Sequence, residues 1–220
     1  AVVARLLTVP TADAATALTR DGLVAGRDTI EGGAGADIVF GDHGVIDQTS
    51  GTLRLLTTDA VVRVRSAEFL NGEADSIAGG TGDDRILSGR GDDRIDAGTD
   101  DDIVFGDDGL IDLVVADGDR GDIDLIQSLS IGEGGGADTI AGGEGDDIVV
   151  GGRYGDTIGT GEGHDLIFGD HGRIVAAAAD DAASPYRISI ASVESIGFAD
   201  ADNGADRIDS GEGNDLILGG

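Results

Sequence analysis

A nine-residue period carried by aspartate constrains this chain more than any other feature. In the stretch DSIAGGTGDDRILSGRGDDRIDAGTDDDIVFGD, Asp75, Asp84, Asp93 and Asp102 fall nine residues apart. Two residues after each stands an aliphatic: Ile77, Ile86, Ile95 and Val104. Glycine fills most positions between, so the phrase reads Gly-Gly-x-Gly-x-Asp-x-aliphatic-x. A phrase of this length divides into a turn of about six residues and a strand of about three. Glycine supplies the positive φ and close backbone approach that such turns need.

The phrase recurs along the chain. Aspartate takes its sixth position at Asp28, Asp37, Asp75, Asp84, Asp93, Asp102, Asp138, Asp147, Asp156, Asp165, Asp206 and Asp215. The eighth position is aliphatic in every case: Ile30, Val39, Ile77, Ile86, Ile95, Val104, Ile140, Val149, Ile158, Ile167, Ile208 and Ile217. These side chains are expected to point inward.

A second, longer period lies over the first. Phe40, Phe105 and Phe168 each precede Gly-Asp-x-Gly-x-Ile and are almost evenly spaced along the chain. The unit is four nonapeptides, one Phe-Gly-Asp turn and one insert rich in β-formers. On this pattern residues 1–25 are a strand and loop ending a preceding insert. Residues 26–47 form a half-block, 48–70 an insert and 71–112 a full block. Residues 113–132 form a second insert, 133–174 a second full block, 175–200 a third insert and 201–220 a half-block that continues beyond the chain. Within the first insert, TLRLLTT and AVVRVRS read as two strands joined by a turn near Thr58 and Asp59. Such units bury a shared core only by stacking on their neighbours.

The spacing has an electrostatic consequence. If two nine-residue phrases make one coil, residues two phrases apart stack along its axis, and stacked strands lie ~4.8 Å apart. Carboxylates brought that close repel or take up protons unless a cation lies between them. Calcium accepts roughly 6–8 oxygens, backbone carbonyls included. The pairs with the required spacing are Asp75 with Asp93, Asp84 with Asp102, Asp138 with Asp156, and Asp147 with Asp165. Asp28, Asp37, Asp206 and Asp215 have no partner one coil length away. They bind singly, pair across an insert, or need a neighbouring unit. A lone Gly-x-Asp would be read as a turn former with a solvated side chain; twelve in register read as metal ligands. Asp100, Tyr154 and Glu73 replace glycine at position four and are expected to strain their turns.

Position seven points outward and differs between the two faces. One face carries Ser76, Arg94, Thr139 and Thr157; the other carries Arg85, Ile103, Ile148 and Leu166, with Ile38 and Leu216 continuing it. A row of exposed aliphatics is costly, so either the inserts or a partner chain should cover it. The stretch from Asp102 to Asp138 equals two coil lengths, so an insert could also replace coils in place.

Charge and chemistry narrow the function. The chain has 44 acidic residues against 14 basic ones, a net charge of −30. All the basic residues are arginine, which excludes a basic nucleic-acid footprint and opposes anionic membranes. Cysteine is absent, so there is no disulfide framework and no zinc-thiolate site. No apolar run is long enough to span a bilayer. Neither His-Glu-x-x-His nor Gly-x-Ser-x-Gly occurs, so the chain is read as non-enzymatic. His43 and His171 share one position of the Phe-Gly-Asp turn with Asp108, which reads as a turn or auxiliary ligand. The run Asp117 to Asp124 resembles an EF-hand loop but has Ser128 where the closing glutamate should stand.

The glycine-aspartate phrases resemble the hemolysin-type (RTX) calcium-binding repeats of large secreted bacterial proteins. That resemblance implies an all-β fold, a right-handed parallel β-roll (β-solenoid) carrying β-rich inserts. It also implies several calcium ions shared by position-six aspartates of successive coils, and export by type I secretion to the cell surface or beyond. The expected function is a calcium-folded structural region: an adhesin-like stalk, or an extracellular fibre in which copies join end to end. A glycan- or ice-binding solenoid and an accessory domain of a secreted enzyme are the alternatives. The threonine row and the two tyrosines are too sparse for the first, and the repeated inserts argue against the second.

Overall fold

The computed structural model describes residues 25–49, 61–116, 122–129, 134–177, 188–197 and 204–220. Every regular element among them is a β-strand. The first sheet is parallel and runs β1 (Thr29–Ala34), β5 (Ser76–Thr81), β7 (Arg94–Thr99), β11 (Thr139–Glu144), β13 (Thr157–Glu162), β17 (Arg207–Asp209). The second, also parallel, runs β2 (Ile38–Phe40), β6 (Arg85–Leu87), β8 (Ile103–Phe105), β12 (Ile148–Val150), β14 (Leu166–Phe168), β18 (Leu216–Leu218). Together they make a parallel β-roll, with each coil contributing one strand to each sheet.

Register follows the nonapeptide. In the first sheet Ile30, Ile77, Ile95, Ile140, Ile158 and Ile208 lie in one row. In the second, Val39, Ile86, Val104, Val149, Ile167 and Ile217 do the same. The two rows meet as the roll's own core, with Ile30 and Ile208 partly buried at its edges and Ile217, in the last coil, 46 % exposed. A one-residue slip would turn these side chains to the other face, and each one fully buried contributes about 1.5–3 kcal/mol.

The inserts do not replace coils in place. The chain leaves the roll after β2, β8 and β14 and returns in the next coil, so β7 pairs directly with β11. What lies outside is a third, antiparallel sheet: β3 (Gly44–Gln48), β4 (Val61–Ser66), β9 (Gly109–Asp112), β10 (Leu125–Ser128), β15 (Gly172–Ala176), β16 (Ile190–Ser195). Each insert is thus a hairpin, and three hairpins stand side by side. The strand pairing with β4 is β3, directly after the first Phe-Gly-Asp turn. TLRLLTT lies outside the described residues.

The third sheet covers the apolar outer face of the second. Its inner row is Ile46, Val64, Ile111, Ile126, Ile174 and Val193. All but Ile46, which is exposed at one end, pack with Ile103, Ile148 and Leu166 and with the position-nine residues Leu87, Phe105, Val150 and Phe168 in a second core. Ile148 and Leu166 are each 1 % exposed and Ile103 7 %, so the chain's own inserts do the covering. The Phe-Gly-Asp-x-Gly signature has a packing reason. A Cβ on Gly109 would sit 2.5 Å from the Phe105 ring, and one on Gly172 2.5 Å from the Phe168 ring. Each of these glycines also donates its N–H to a hydroxyl of the preceding hairpin, Gly109 to Ser66 Oγ and Gly172 to Ser128 Oγ, both at 3.1 Å.

Position four behaves as expected at two of three places. Asp100 has φ 79° and Tyr154 φ 76°, both in the left-handed region, whereas Glu73 does not. Glu73 stands on a stalk returning from an insert, so its turn is shaped differently. Replacing Tyr154 by glycine should stabilise the calcium-loaded protein. Left-handed strain of about 1–2 kcal/mol is relieved, against about 1 kcal/mol for the stacking of the buried Arg153 over the ring of Tyr154, a residue 40 % exposed, at 5.1 Å. A thermal midpoint for Tyr154→Gly below that of the parent would refute this.

Candidate metal centre

From the second coil on, each position-six aspartate is fixed by the coil before it. The N–H of Asp75 donates to Asp93 Oδ1 at 2.6 Å, Asp84 to Asp102 at 2.8 Å, Asp138 to Asp156 at 2.8 Å and Asp147 to Asp165 at 3.0 Å. The four end aspartates pair across inserts. Asp28 N–H donates to Asp75 Oδ1 and Asp37 N–H to Asp84 Oδ1, both at 2.7 Å. Asp156 N–H donates to Asp206 Oδ1 at 3.0 Å and Asp165 N–H to Asp215 Oδ1 at 3.1 Å. Asp93 to Asp138 at 2.8 Å and Asp102 to Asp147 at 3.0 Å close the middle junction. The predicted aspartates therefore form two continuous columns of six, one on each side of the roll.

The other oxygen of these carboxylates is left over. Oδ2 of Asp37, Asp75, Asp84, Asp93, Asp102, Asp138, Asp147, Asp156 and Asp165 is buried without a hydrogen-bond partner. Buried polar atoms in native proteins are nearly always satisfied, so a whole column of orphans asks for a ligand. Beside many of them is a space that only glycine leaves open. A Cβ on Gly79 would lie 2.5 Å from Asp84 Oδ2, and the Ala97 carbonyl oxygen of the next coil closes the same space. Gly106 stands likewise against Asp138 Oδ2 and Gly151 O, and Gly151 against Asp156 Oδ2 and Gly169 O. At Ser88, Ala97, Thr160 and Ser210 the equivalent position carries a side chain. Among the described residues no group of three histidine or acidic side chains gathers to hold a metal, so backbone carbonyls must complete any site. Hard oxygen donors of this kind, carboxylate plus carbonyl, suit calcium.

Burial dominates the electrostatics. Desolvation pushes Asp93 and Asp102 up to about 7 and Asp147 and Asp156 up to about 8. Asp138 is raised well above the usual carboxylate range by burial and then by the charge of Asp107. The sign for stability follows from linkage. A carboxylate whose pKa is raised on folding holds its proton more tightly in the folded chain. Its contribution is complete below the unfolded value of 3.8 and is lost as pH climbs through about 7–8. Without metal, lowering the pH of a dialysed, calcium-free sample from 8 to 5 should therefore increase its β-sheet circular dichroism. A signal that stays flat or falls would contradict this.

Sequence reasoning missed the aspartates of the three Phe-Gly-Asp turns. Asp107 is 2 % exposed; its Oδ1 accepts from Gly136 N at 3.0 Å and its Oδ2 from Arg153 N at 2.5 Å. Asp42 Oδ2 accepts from Arg90 N at 2.7 Å, leaving Oδ1 buried without a partner, as is Oδ1 of Asp170. The signal was present: Asp42, Asp107 and Asp170 occupy position two, where continuing coils have glycine. Gly98 and Gly152 there have φ 120° and 115° and turn the chain onward. The three aspartates are not in that region, and the chain leaves for the third sheet. The EF-hand-like run falls mostly outside the described residues; within it, Asp124 Oδ2 accepts from Ala116 N at 2.8 Å.

Comparison with known proteins agrees with the geometry. The family model of the RTX calcium-binding nonapeptide repeat matches in four copies, at residues 25–44, 78–109, 134–158 and 198–220. No curated protein and no solved structure matches the chain significantly.

Proposed function

From a chain built on RTX calcium-binding nonapeptide repeats, we propose a non-enzymatic extracellular scaffold whose folding is driven by calcium. The observation that carries the reading is the double column of buried Oδ2 atoms without partners, many of them facing carbonyls of the next coil. Calcium, when bound, supplies the positive charge and the acceptor of lone pairs that these oxygens lack. The chain's own residues do the rest. Glycines keep the cradles open, Oδ1 atoms set the spacing between coils, and the stacked aliphatics fix the register.

Site and fold are then one event. In a calcium-poor compartment the −30 charge keeps the chain extended and fit for export as an unfolded polymer. Outside the cell, calcium condenses it. The repeated hairpins favour a long stalk or fibre over an enzyme's accessory domain, because they thicken every second coil in the same way.

The test is circular dichroism and light scattering with calcium and after its removal. Calcium-dependent β-structure supports the scaffold, and large linear particles at high calcium favour the fibre over the monomeric stalk. β-structure indifferent to calcium would end the proposal.

A further inference from the structure

Each insert has a neck, where the chain steps out in the turn between two coils and returns after the hairpin to complete that turn. Both stalks of the neck carry an aspartate. At the middle neck, Asp107 leaves and Asp138 returns. Both belong to one turn of the roll and both face the next turn: Asp107 Oδ2 accepts from Arg153 N at 2.5 Å, and Asp138 N–H donates to Asp156 Oδ1 at 2.8 Å. Asp42 and Asp75 repeat this over Arg90 and Asp93. Asp170 and Asp206 are placed the same way, beside Gly220 and the Gly219 carbonyl.

We propose that each neck is a divalent-cation clip in which the departing aspartate joins the returning one as a ligand: Asp42 with Asp75, Asp107 with Asp138, Asp170 with Asp206. The proposal rests on the calcium reading above and adds three ligands outside position six. It also assigns them a task, holding the hairpin to the roll.

Three observations support it. Oδ2 of Asp75 and of Asp138 is buried without a partner, in residues 4 % and 2 % exposed, as is Oδ1 of Asp170, 7 % exposed. The position-one glycines at the necks hold open a space between the returning carboxylate and a carbonyl of the next coil: Gly41 by Asp75 and Ser88 O, Gly106 by Asp138 and Gly151 O, Gly169 by Asp206 and Gly219 O. No ion pair joins these six carboxylates to an arginine among the described residues. Capping of backbone N–H groups explains part of Asp107, but it leaves Oδ1 of Asp42 and Asp170 unexplained.

The opposite column separates the neck from the repeat. Its turns, those of Asp37, Asp84, Asp102, Asp147, Asp165 and Asp215, are never interrupted. Calcium number and affinity are measured by equilibrium dialysis, and limited proteolysis in saturating calcium reads the inserts. Asp107→Asn should bind one calcium fewer, or bind it at least about tenfold more weakly, and should be cut between β9 and β10 while the roll stays protected. Asp147→Asn should also lose calcium, yet keep that hairpin protected. If Asp107→Asn fails to fold, Asp170→Asn decides, because its Oδ1 has no hydrogen bond to lose. Wild-type calcium number and affinity in the exit variants, or an Asp107→Asn hairpin as protected as the parent's, overturns the clip. A parent protein that takes up no calcium overturns the earlier reading instead.

Discussion

Removing calcium at pH 8 should abolish the β-sheet signal of this protein completely and reversibly. The argument is one of magnitude. With pKa values pushed up to about 7 or 8 by burial, each of these carboxylates is ionised at pH 8 only at a cost of several kcal/mol in the folded chain. Asp93, Asp102, Asp147 and Asp156 all carry that cost, and they stand in columns where each has like-charged neighbours. Domains have about 5–15 kcal/mol of net stability, so a handful of such penalties exceeds it. Far-ultraviolet circular dichroism in excess chelator, followed by return of calcium, measures the effect. A β-signal persisting at pH 8 in chelator would mean that the apolar rows hold the roll unaided.

The second large effect is Phe105→Ala. Phe105 is 1 % exposed. Its ring lies on Gly109 and joins the core shared by the second and third sheets. Loss of a buried phenylalanine costs about 3–5 kcal/mol. Nothing nearby can collapse into the space cheaply, because Gly109 is held by Ser66 and its strand is paired on both sides. The calcium-saturated variant should show a thermal midpoint lowered by many degrees, with calcium number unchanged, since no ligand is touched. Lost calcium with an unchanged midpoint would show that the core assignment is wrong.

The roll was legible in the sequence because its cause is local. A nonapeptide with aspartate at six and an aliphatic at eight specifies turn, strand and inward face within one phrase, and stacking repeats it. The apolar row Ile103, Ile148 and Leu166 also announced that something must cover it. The partners of the insert strands were not legible. β3 follows directly on a repeat phrase, and only its pairing with β4, on the far side of the insert's loop, shows it to be half of a hairpin. Likewise, the partners of Asp28 and Asp206 lie 47 and 50 residues away, separations set by insert length and not by the coil. The departing aspartates were visible as three exceptions to position-two glycine, but their burial comes from the coil that follows.

The register also fixes how the molecule yields when pulled along its axis. Strands run across the direction of pull and the hydrogen bonds between coils lie along it, so coils peel from an end one at a time. Equivalent residues of adjacent coils are two phrases apart within a block, as Ile77 and Ile95 are, and more than twice as far apart across the first insert, as Ile30 and Ile77 are. At roughly 3.4 Å per extended residue, peeling releases about 60 Å in one step and about 160 Å in the next. The hairpins are stored length: a chain of this register would extend in alternating short and long steps.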